Sequence, residues 1–337
     1  MTVLAADEDY RYRPIFDPDR PAATAPASGD GGTARVAGAS GGDQVPPGGY
    51  LFTPRVVLAV NVALATRRPL LVRGDAGSGK SSLAPSVAAH EDWDLYTRTI
   101  SSRTTAQDLL WTFDALRRLH DAQARQPVVD LARYISPGVL WEALDPGGAA
   151  GQNARTTAGT GNRTGTGTTS APGADEPKQR AVLLLDEIDK AEPDVPNDLL
   201  EPLGSFTFSV PELDGRPVEN TRPLAPLVVL TTNGERELPP AFLRRCVVLT
   251  MPFPDDPLLV EIAVRHFGPD DRDLYAAVAG RVAAARRDAG RDRARAPGTA
   301  EYLDAIRACR ELGIDVADGS PAWRDTWLST VLKWAET

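Results

Sequence analysis

Eight consecutive residues, Gly74-Asp75-Ala76-Gly77-Ser78-Gly79-Lys80-Ser81, follow the apolar run Leu70-Leu71-Val72 and precede a helix-forming stretch that opens with Ser82. The spacing is G-x-x-x-x-G-K-[ST] in a strand-loop-helix setting. Glycines at these positions let the backbone curl so that successive N–H groups face one anion, and the following helix turns its positive end toward the same point. That arrangement suits a phosphate chain. Gly74, Asp75, Ala76, Gly77, Ser78, Gly79, Lys80, Ser81 and Ser82 form the expected cradle, with Lys80 reaching the β- and γ-phosphates and the Ser81 hydroxyl holding Mg²⁺. Pro85 falls in the first turns of the helix and predicts a shortened or kinked one.

Two further apolar runs end in polar groups. Val182-Leu183-Leu184-Leu185 leads into Asp186 and Glu187, and Leu227-Val228-Val229-Leu230 leads through Thr231 and Thr232 into Asn233. A continuous apolar run fits a central parallel strand, and ligands of such sheets bind at the strands' C-terminal ends. Asp186 is therefore the candidate second contact to Mg²⁺, and Glu187 the candidate general base that polarises an attacking water. Asn233, able both to donate and to accept, suits the orientation of that water. Asp189 and Lys190 read as a solvated turn and helix start. Before the last apolar run, Ala241-Phe242-Leu243-Arg244-Arg245-Cys246 offers two arginines. One of them can stabilise charge on a phosphate held by a neighbouring subunit, with Arg245 preferred over Arg244.

These residues need a scaffold, and the sequence lays one out. Short apolar strands are expected at 70–73, 94–100, 181–185, 227–231 and 246–250, alternating with helical patterns, which is the signature of a sheet built from βα units. Thr53 and Pro54 cap a helix over 54–65. Thr104-x-x-Gln107 reads as a capping box opening a long helix over 104–124, with Leu109, Leu110, Phe113, Leu116 and Leu119 along one face. From 256 onward apolar residues return every three or four positions, so the C-terminal part is expected to be all-helical. There Ser320 and Pro321 start a helix carrying Trp323 and Trp327, which pack within that part or against a neighbouring subunit. Phe206 and Phe208 lie in a hairpin-like stretch and read either as strand core or as a grip on a polypeptide.

Glycine and proline, 29 of each in 337 residues, concentrate in two segments. Residues 21–49 read as a disordered linker and 145–180 as a disordered insertion, because Gly, Pro, Ala, Ser and Thr bury too little to offset about 1–2 kcal/mol of backbone entropy per residue. The organisation expected is an N-terminal segment 1–20, the linker, a core over 50–254 interrupted by the insertion, and a helical domain over 255–337. The segment 1–20, with Tyr10, Tyr12, Ile15 and Phe16, is either a docking peptide or a frayed tail.

A net charge of −9, from 37 basic and 46 acidic residues, supplies no general field for phosphate backbones, so nucleic acid is an improbable partner. Cys246 and Cys309 sit in apolar contexts and read as reduced core thiols. His90, His120 and His266 lack metal-ligand spacing. The N-terminus lacks an apolar h-region and no long apolar run occurs anywhere, which points to a cytoplasmic protein without a membrane span.

In order along the chain, GDAGSGKS, LLLDEID, VVLTTN and LPPAFLRRC resemble the Walker A, Walker B, sensor 1 and arginine-finger motifs of AAA+ ATPases. PLLVRGDAGSGKS, PGVLWEA, DEIDKAEPDVPNDLLEPL and TTNGERELPPAFLRRC are most similar to the MoxR-like branch. The resemblance spans 50–254 outside the insertion. It implies an α/β fold, specifically an αβα-sandwich P-loop NTPase core on a parallel five-stranded sheet with a small helical lid. It also implies ATP and Mg²⁺ as ligands, a homo-oligomeric ring, usually a hexamer, and hydrolysis that remodels a protein client, often one with a von Willebrand factor A domain. An alternative of another class is a nucleotide switch, in which ATP sets oligomeric state within a signalling or defence assembly. The chain departs from the family in having Arg244-Arg245 where many members have Asp-Arg. It also places Arg295, the nearest candidate for sensor 2, ahead of Pro297.

Overall fold

The computed structural model describes residues 12–20, 49–124, 130–157, 177–292, 296–316 and 320–331. It divides into two compact units. One draws its described residues from Met1–Ala23, Phe52–Val72 and His90–Leu249, the other from Thr24–Leu51, Arg73–Ala89 and Thr250–Thr337. This split differs from the sequence boundary at 254/255, because residues 73–89 group with the C-terminal helices.

The first unit is built on a five-stranded sheet, and all five expected strands are present: β1 (Leu70–Arg73), β2 (Asp94–Thr99), β5 (Ala181–Asp186), β8 (Leu227–Thr232) and β9 (Val247–Thr250), in the order β2-β5-β8-β1-β9. The architecture is α/β with a parallel sheet. β2 pairs with β5 from Asp94↔Ala181 to Thr99↔Asp186, and β5 pairs with β8 from Val182↔Leu227 to Leu185↔Leu230. Every residue of β8, and every residue of β5 before Asp186, is buried. Both faces of these central strands are thus covered, which is why their sequences read as unbroken apolar runs rather than alternating ones.

Helix α1 (Pro54–Thr66) begins as expected, with the Thr53 hydroxyl accepting from the Val56 N–H and Pro54 in the first turn. α2 (Lys80–Glu91) continues past Pro85 to Glu91, so the proline does not cut it short. The long helix expected over 104–124 is not formed. The chain makes α3 (Ala106–Leu110), then β3 (Trp111–Phe113), then α4 (Ala115–Gln123). The physical reason is tertiary. β3 pairs antiparallel with β4 (Ile135–Pro137), which turns Trp111 inward, and α4 buries none of its residues, leaving Leu116 and Leu119 exposed. The capping box belongs to Thr105 and Asp108, whose side chains and main chains bond reciprocally, rather than to Thr104 and Gln107.

The expected insertion departs from disorder at its start. After α5 (Val139–Leu144), residues Pro146–Thr157 form α6, held by Gln152, whose amide donates to the Ala132 and Ile135 carbonyls at 2.6 and 2.9 Å. Satisfying two buried carbonyls with one amide supplies the anchor that the small side chains lack. Residues 158–176 lie outside the described residues, as do 21–48 of the expected linker.

Past β5 come the short helices α7 (Asp194–Asp198) and α8 (Leu200–Ser205) and the hairpin β6 (Thr207–Val210) and β7 (Arg216–Glu219). Of the two readings of Phe206 and Phe208, the hairpin favours core: Phe206 is buried, and the Phe208 ring lies 5.9 Å from Trp111 and 6.2 Å from Trp141. After the hairpin, Arg222 is buried beside β2, donating to Asp94 at 2.7 Å, to the Tyr96 hydroxyl at 2.9 Å and to the Ala143 carbonyl at 2.9 Å. α9 (Pro240–Leu243) precedes β9.

In the second unit, α10 (Asp256–Phe267), α11 (Arg272–Asp292), α12 (Thr299–Leu312) and α13 (Pro321–Thr330) enclose a core of Leu259, Tyr275, Val278, Val282, Tyr302, Ile306, Cys309 and Trp323. Ser320 caps α13, and Trp323 is buried against Trp327 at 5.5 Å, packing inside the unit. Cys246 and Cys309 are both free thiols.

Candidate functional site

β1 ends at Arg73, and residues 74–79 form the glycine-rich turn from which α2 starts at Lys80. Gly77 and Gly79 adopt φ of +76° and +86°, a region that side chains other than glycine enter only at a cost. A side chain on Gly77 would also run into the backbone of Gly298, because this turn packs against the start of α12 and the Thr299 N–H donates to the Gly77 carbonyl at 3.1 Å. The Lys80 side chain is buried, and its ammonium donates to the loop's own carbonyls, Gly74 at 2.8 Å and Asp75 at 2.7 Å. The Ser78 hydroxyl is buried with no hydrogen-bond partner among the described residues. A cation held by two main-chain oxygens and an orphaned hydroxyl on one tight turn are groups that a phosphate chain can satisfy, so the loop fits its expected ligand. Ser81 and Ser82 stand in the first turn of α2, with Ser81 exposed.

Arg286 of α11 is a residue that sequence reasoning missed. Its guanidinium lies over the Phe253 ring at 3.7 Å, donates to the Pro297 carbonyl at 2.6 Å and pairs with Asp75 of the loop at 3.0 Å. Burial pushes its pKa down while Asp75 opposes the shift. It sits in a run of alanines and arginines with nothing local to single it out; only the return of α11 to the loop does so. Arg295, the sequence candidate for a lid arginine, lies outside the described residues.

The other group of site residues stands at the ends of β5 and β8 in the first unit. The register of these strands sets Asp186 beside Thr231, and the Thr231 hydroxyl donates to the Asp186 carboxylate. The same hydroxyl accepts from the Glu187 N–H at 2.9 Å. Glu187 has φ +61° and ψ +48°, left-handed backbone that a non-glycine residue holds only where its surroundings impose it. This turn swings the carboxylate so that one oxygen accepts from the Asn233 amide at 3.3 Å and the other from Lys190 at 2.8 Å. The adjacent Asp186 and Glu187 thus stand with Asn233, 46 residues from Glu187 along the chain. Thr231 and Lys190 join them unforeseen. The hydrogen bond to Glu187 raises the Lys190 pKa.

Asp189 is not the solvated turn residue of the sequence reading. It is 2% exposed and accepts the Glu235 N–H at 2.9 Å, which ties the turn after β5 to the loop after β8. Thr231 is an ordinary-looking residue near the end of β8 that only the pairing of β5 with β8 reveals, whereas Lys190 reaches Glu187 from three residues along the same turn.

Arg244 is the C-cap of α9, Arg245 follows it, and both are exposed. Arg245 donates to the Leu200 carbonyl at 3.3 Å and lines a groove of about 750 Å³ with Arg67, Arg68, Glu201 and Cys246. The Arg244 carbonyl accepts from Arg68 at 3.3 Å. Burial pushes the Cys246 thiol up to about 12.

A parallel α/β sheet, a glycine-lysine turn leading from its strand β1, and two neighbouring strands ending in an acidic pair and an asparagine define a P-loop nucleoside triphosphatase. Residues 69–246, just over half the chain, match the AAA domain family, dynein-related subfamily, and the chain belongs to that family. Such domains bind and hydrolyse ATP, usually with Mg²⁺, and commonly assemble into rings. No curated protein matches the chain. Among the described residues, no helix is long and apolar enough to cross a membrane.

Proposed function

We propose that this chain hydrolyses ATP within a ring of identical subunits, a hexamer in the MoxR-like manner, and uses the turnover to remodel or activate a protein client, of which a von Willebrand factor A domain protein is the leading class. The observation that carries the catalytic part is the Asp186, Glu187, Asn233 and Thr231 cluster: an acidic pair fixed by one buried hydroxyl, with the second acid turned onto an asparagine.

The loop 74–82 holds the phosphates, and Lys80 exchanges its two carbonyl contacts for phosphate oxygens. Ser81 and Asp186 are the residues that would hold Mg²⁺, which supplies charge neutralisation on the phosphates. Glu187 takes a proton from water as general base, and Asn233 orients that water. Thr231 keeps Asp186 and the Glu187 backbone in register. Arg245, exposed on its groove, acts on the nucleotide of the adjoining subunit.

The test is Glu187→Gln. The variant is expected to bind ATP as tightly as wild type while steady-state turnover falls at least 100-fold. Undiminished turnover would remove Glu187 from the base role. The same variant, holding ATP without release, is the bait with which a bound client is recovered. A wild-type ring whose ATPase rate is indifferent to any recovered protein would favour the switch reading over remodelling.

A further inference from the structure

Residues 12–20 belong to no helix or strand, yet Phe16 at their centre is 0% exposed. Its ring meets Phe52 edge-on at 5.1 Å and His90 at 5.7 Å. The polar main chain around it is matched group by group. The Ile15 and Phe16 N–H groups both donate to the Asn61 side-chain oxygen, at 2.5 and 2.8 Å, and the Phe16 carbonyl accepts from the Asn61 amide nitrogen at 2.7 Å. Asn61 is itself buried on α1 and braced by the Val57 carbonyl at 2.9 Å. The Asp17 main chain hydrogen-bonds the Glu91 carboxylate, and its carbonyl lies 3.2 Å from the His90 ring nitrogen.

Main-chain groups in sheets and helices are satisfied by other main chain. Here the groups of Ile15, Phe16 and Asp17 are met by an amide, a carboxylate and an imidazole projecting from α1 and the last turn of α2, so side chains of the folded unit read the main chain of the segment. Ile15 is 40% exposed, and the deeply buried side chain of the segment is the Phe16 ring. We propose that Phe52, Asn61, His90 and Glu91 form a peptide-docking site whose ligand is this chain's own segment 12–20, a bent stretch in which a phenylalanine is followed by an aspartate that opens a turn, its carbonyl accepting from the Arg20 N–H at 3.1 Å. The segment docks as a tethered ligand, and covalent linkage supplies it at an effective concentration near the millimolar range. Of the two readings of the N-terminal segment, this is the docking peptide. Nothing in it depends on ATP turnover.

The full-length chain carrying Phe16→Ala vacates the site, and a fluorescent peptide of residues 12–20, Tyr-Arg-Pro-Ile-Phe-Asp-Pro-Asp-Arg, reports it by anisotropy. Saturable binding to the variant, at least tenfold weaker to the wild-type chain whose site is filled, is the expected result. Equal binding to both chains, or equal binding of a peptide with alanine in place of its phenylalanine, overturns the proposal. Hydrogen exchange on the wild-type chain gives a second reading that needs no variant. The Ile15 and Phe16 amides should exchange at least tenfold slower than their intrinsic rates, and unprotected exchange at both overturns the docking outright.

Discussion

At the scale of single residues, polar side chains in this protein act through what buries them. Thr231 is a modest strand residue in sequence, yet its one hydroxyl accepts from the Glu187 N–H and donates to Asp186, so it decides how both acids stand. Glu91 shows a similar dependence with the opposite energetic sign. Its pKa is raised, chiefly because burial penalises the charged form, while His90 and Arg20 pull the other way. A carboxyl whose folded pKa lies above its unfolded value favours the folded state at low pH, and that contribution is lost as pH rises through the folded pKa. The ionised group is therefore a liability at neutral pH. Glu91→Gln keeps an acceptor for the Asp17 main chain and should unfold at higher temperature than wild type at pH 7.5, with the advantage gone by about pH 4.5 and below. A Tm deficit at pH 7.5 would mean that its ion pairs outweigh its burial. Cys246 follows the same logic: with its thiol pushed up to about 12, the folded chain should react with iodoacetamide at pH 8 many-fold more slowly than the chain in urea, read by mass spectrometry.

At the scale of elements, strands were legible and helices less so. The central strands β5 and β8 announce themselves as apolar runs because both of their faces are covered, and a strand so placed has no room for a polar alternation. The region 104–124 has helical periodicity throughout, and only the antiparallel partner at Ile135–Pro137 converts its middle into a strand. Local pattern cannot report a partner more than twenty residues away. The segment that starts as α6 misled in the other direction, since its small residues predict disorder while Gln152 fastens them to two carbonyls. Arg222 is the clearest single brace between elements, joining the chain after the hairpin to β2 and α5. Arg222→Met leaves Asp94 and the Ala143 carbonyl without their cation and should cost about 3 kcal/mol in a urea titration, with the denaturant slope unchanged. A loss under about 0.5 kcal/mol would reduce the brace to a surface contact.

At the scale of the whole molecule, the prediction concerns copies of the chain rather than one. Arg245 is exposed and donates to the Leu200 carbonyl of its own chain, so a role in trans requires an assembly. Light scattering should show a rise from lower-order species to a ring when ATP is added to Glu187→Gln. Mixtures of Lys80→Ala and Arg245→Ala subunits, each inactive alone, should recover part of the wild-type rate, because a ring places an intact arginine beside an intact phosphate loop at some interfaces. A persistent monomer with ATP, or no recovery in the mixture, removes Arg245 from that role.

The sequence by itself determined the phosphate loop, the acidic pair, Asn233, the strands that carry them and the α/β class, because each depends on residues adjacent in the chain and on the simple fact of burial. The tertiary structure alone decided the rest. Thr231 at Glu187, Arg286 on Asp75, the strand within 104–124 and the capture of Phe16 by Asn61 all join residues distant in sequence. Such contacts are fixed by which surfaces pack against each other, and no local pattern of residue types encodes that choice.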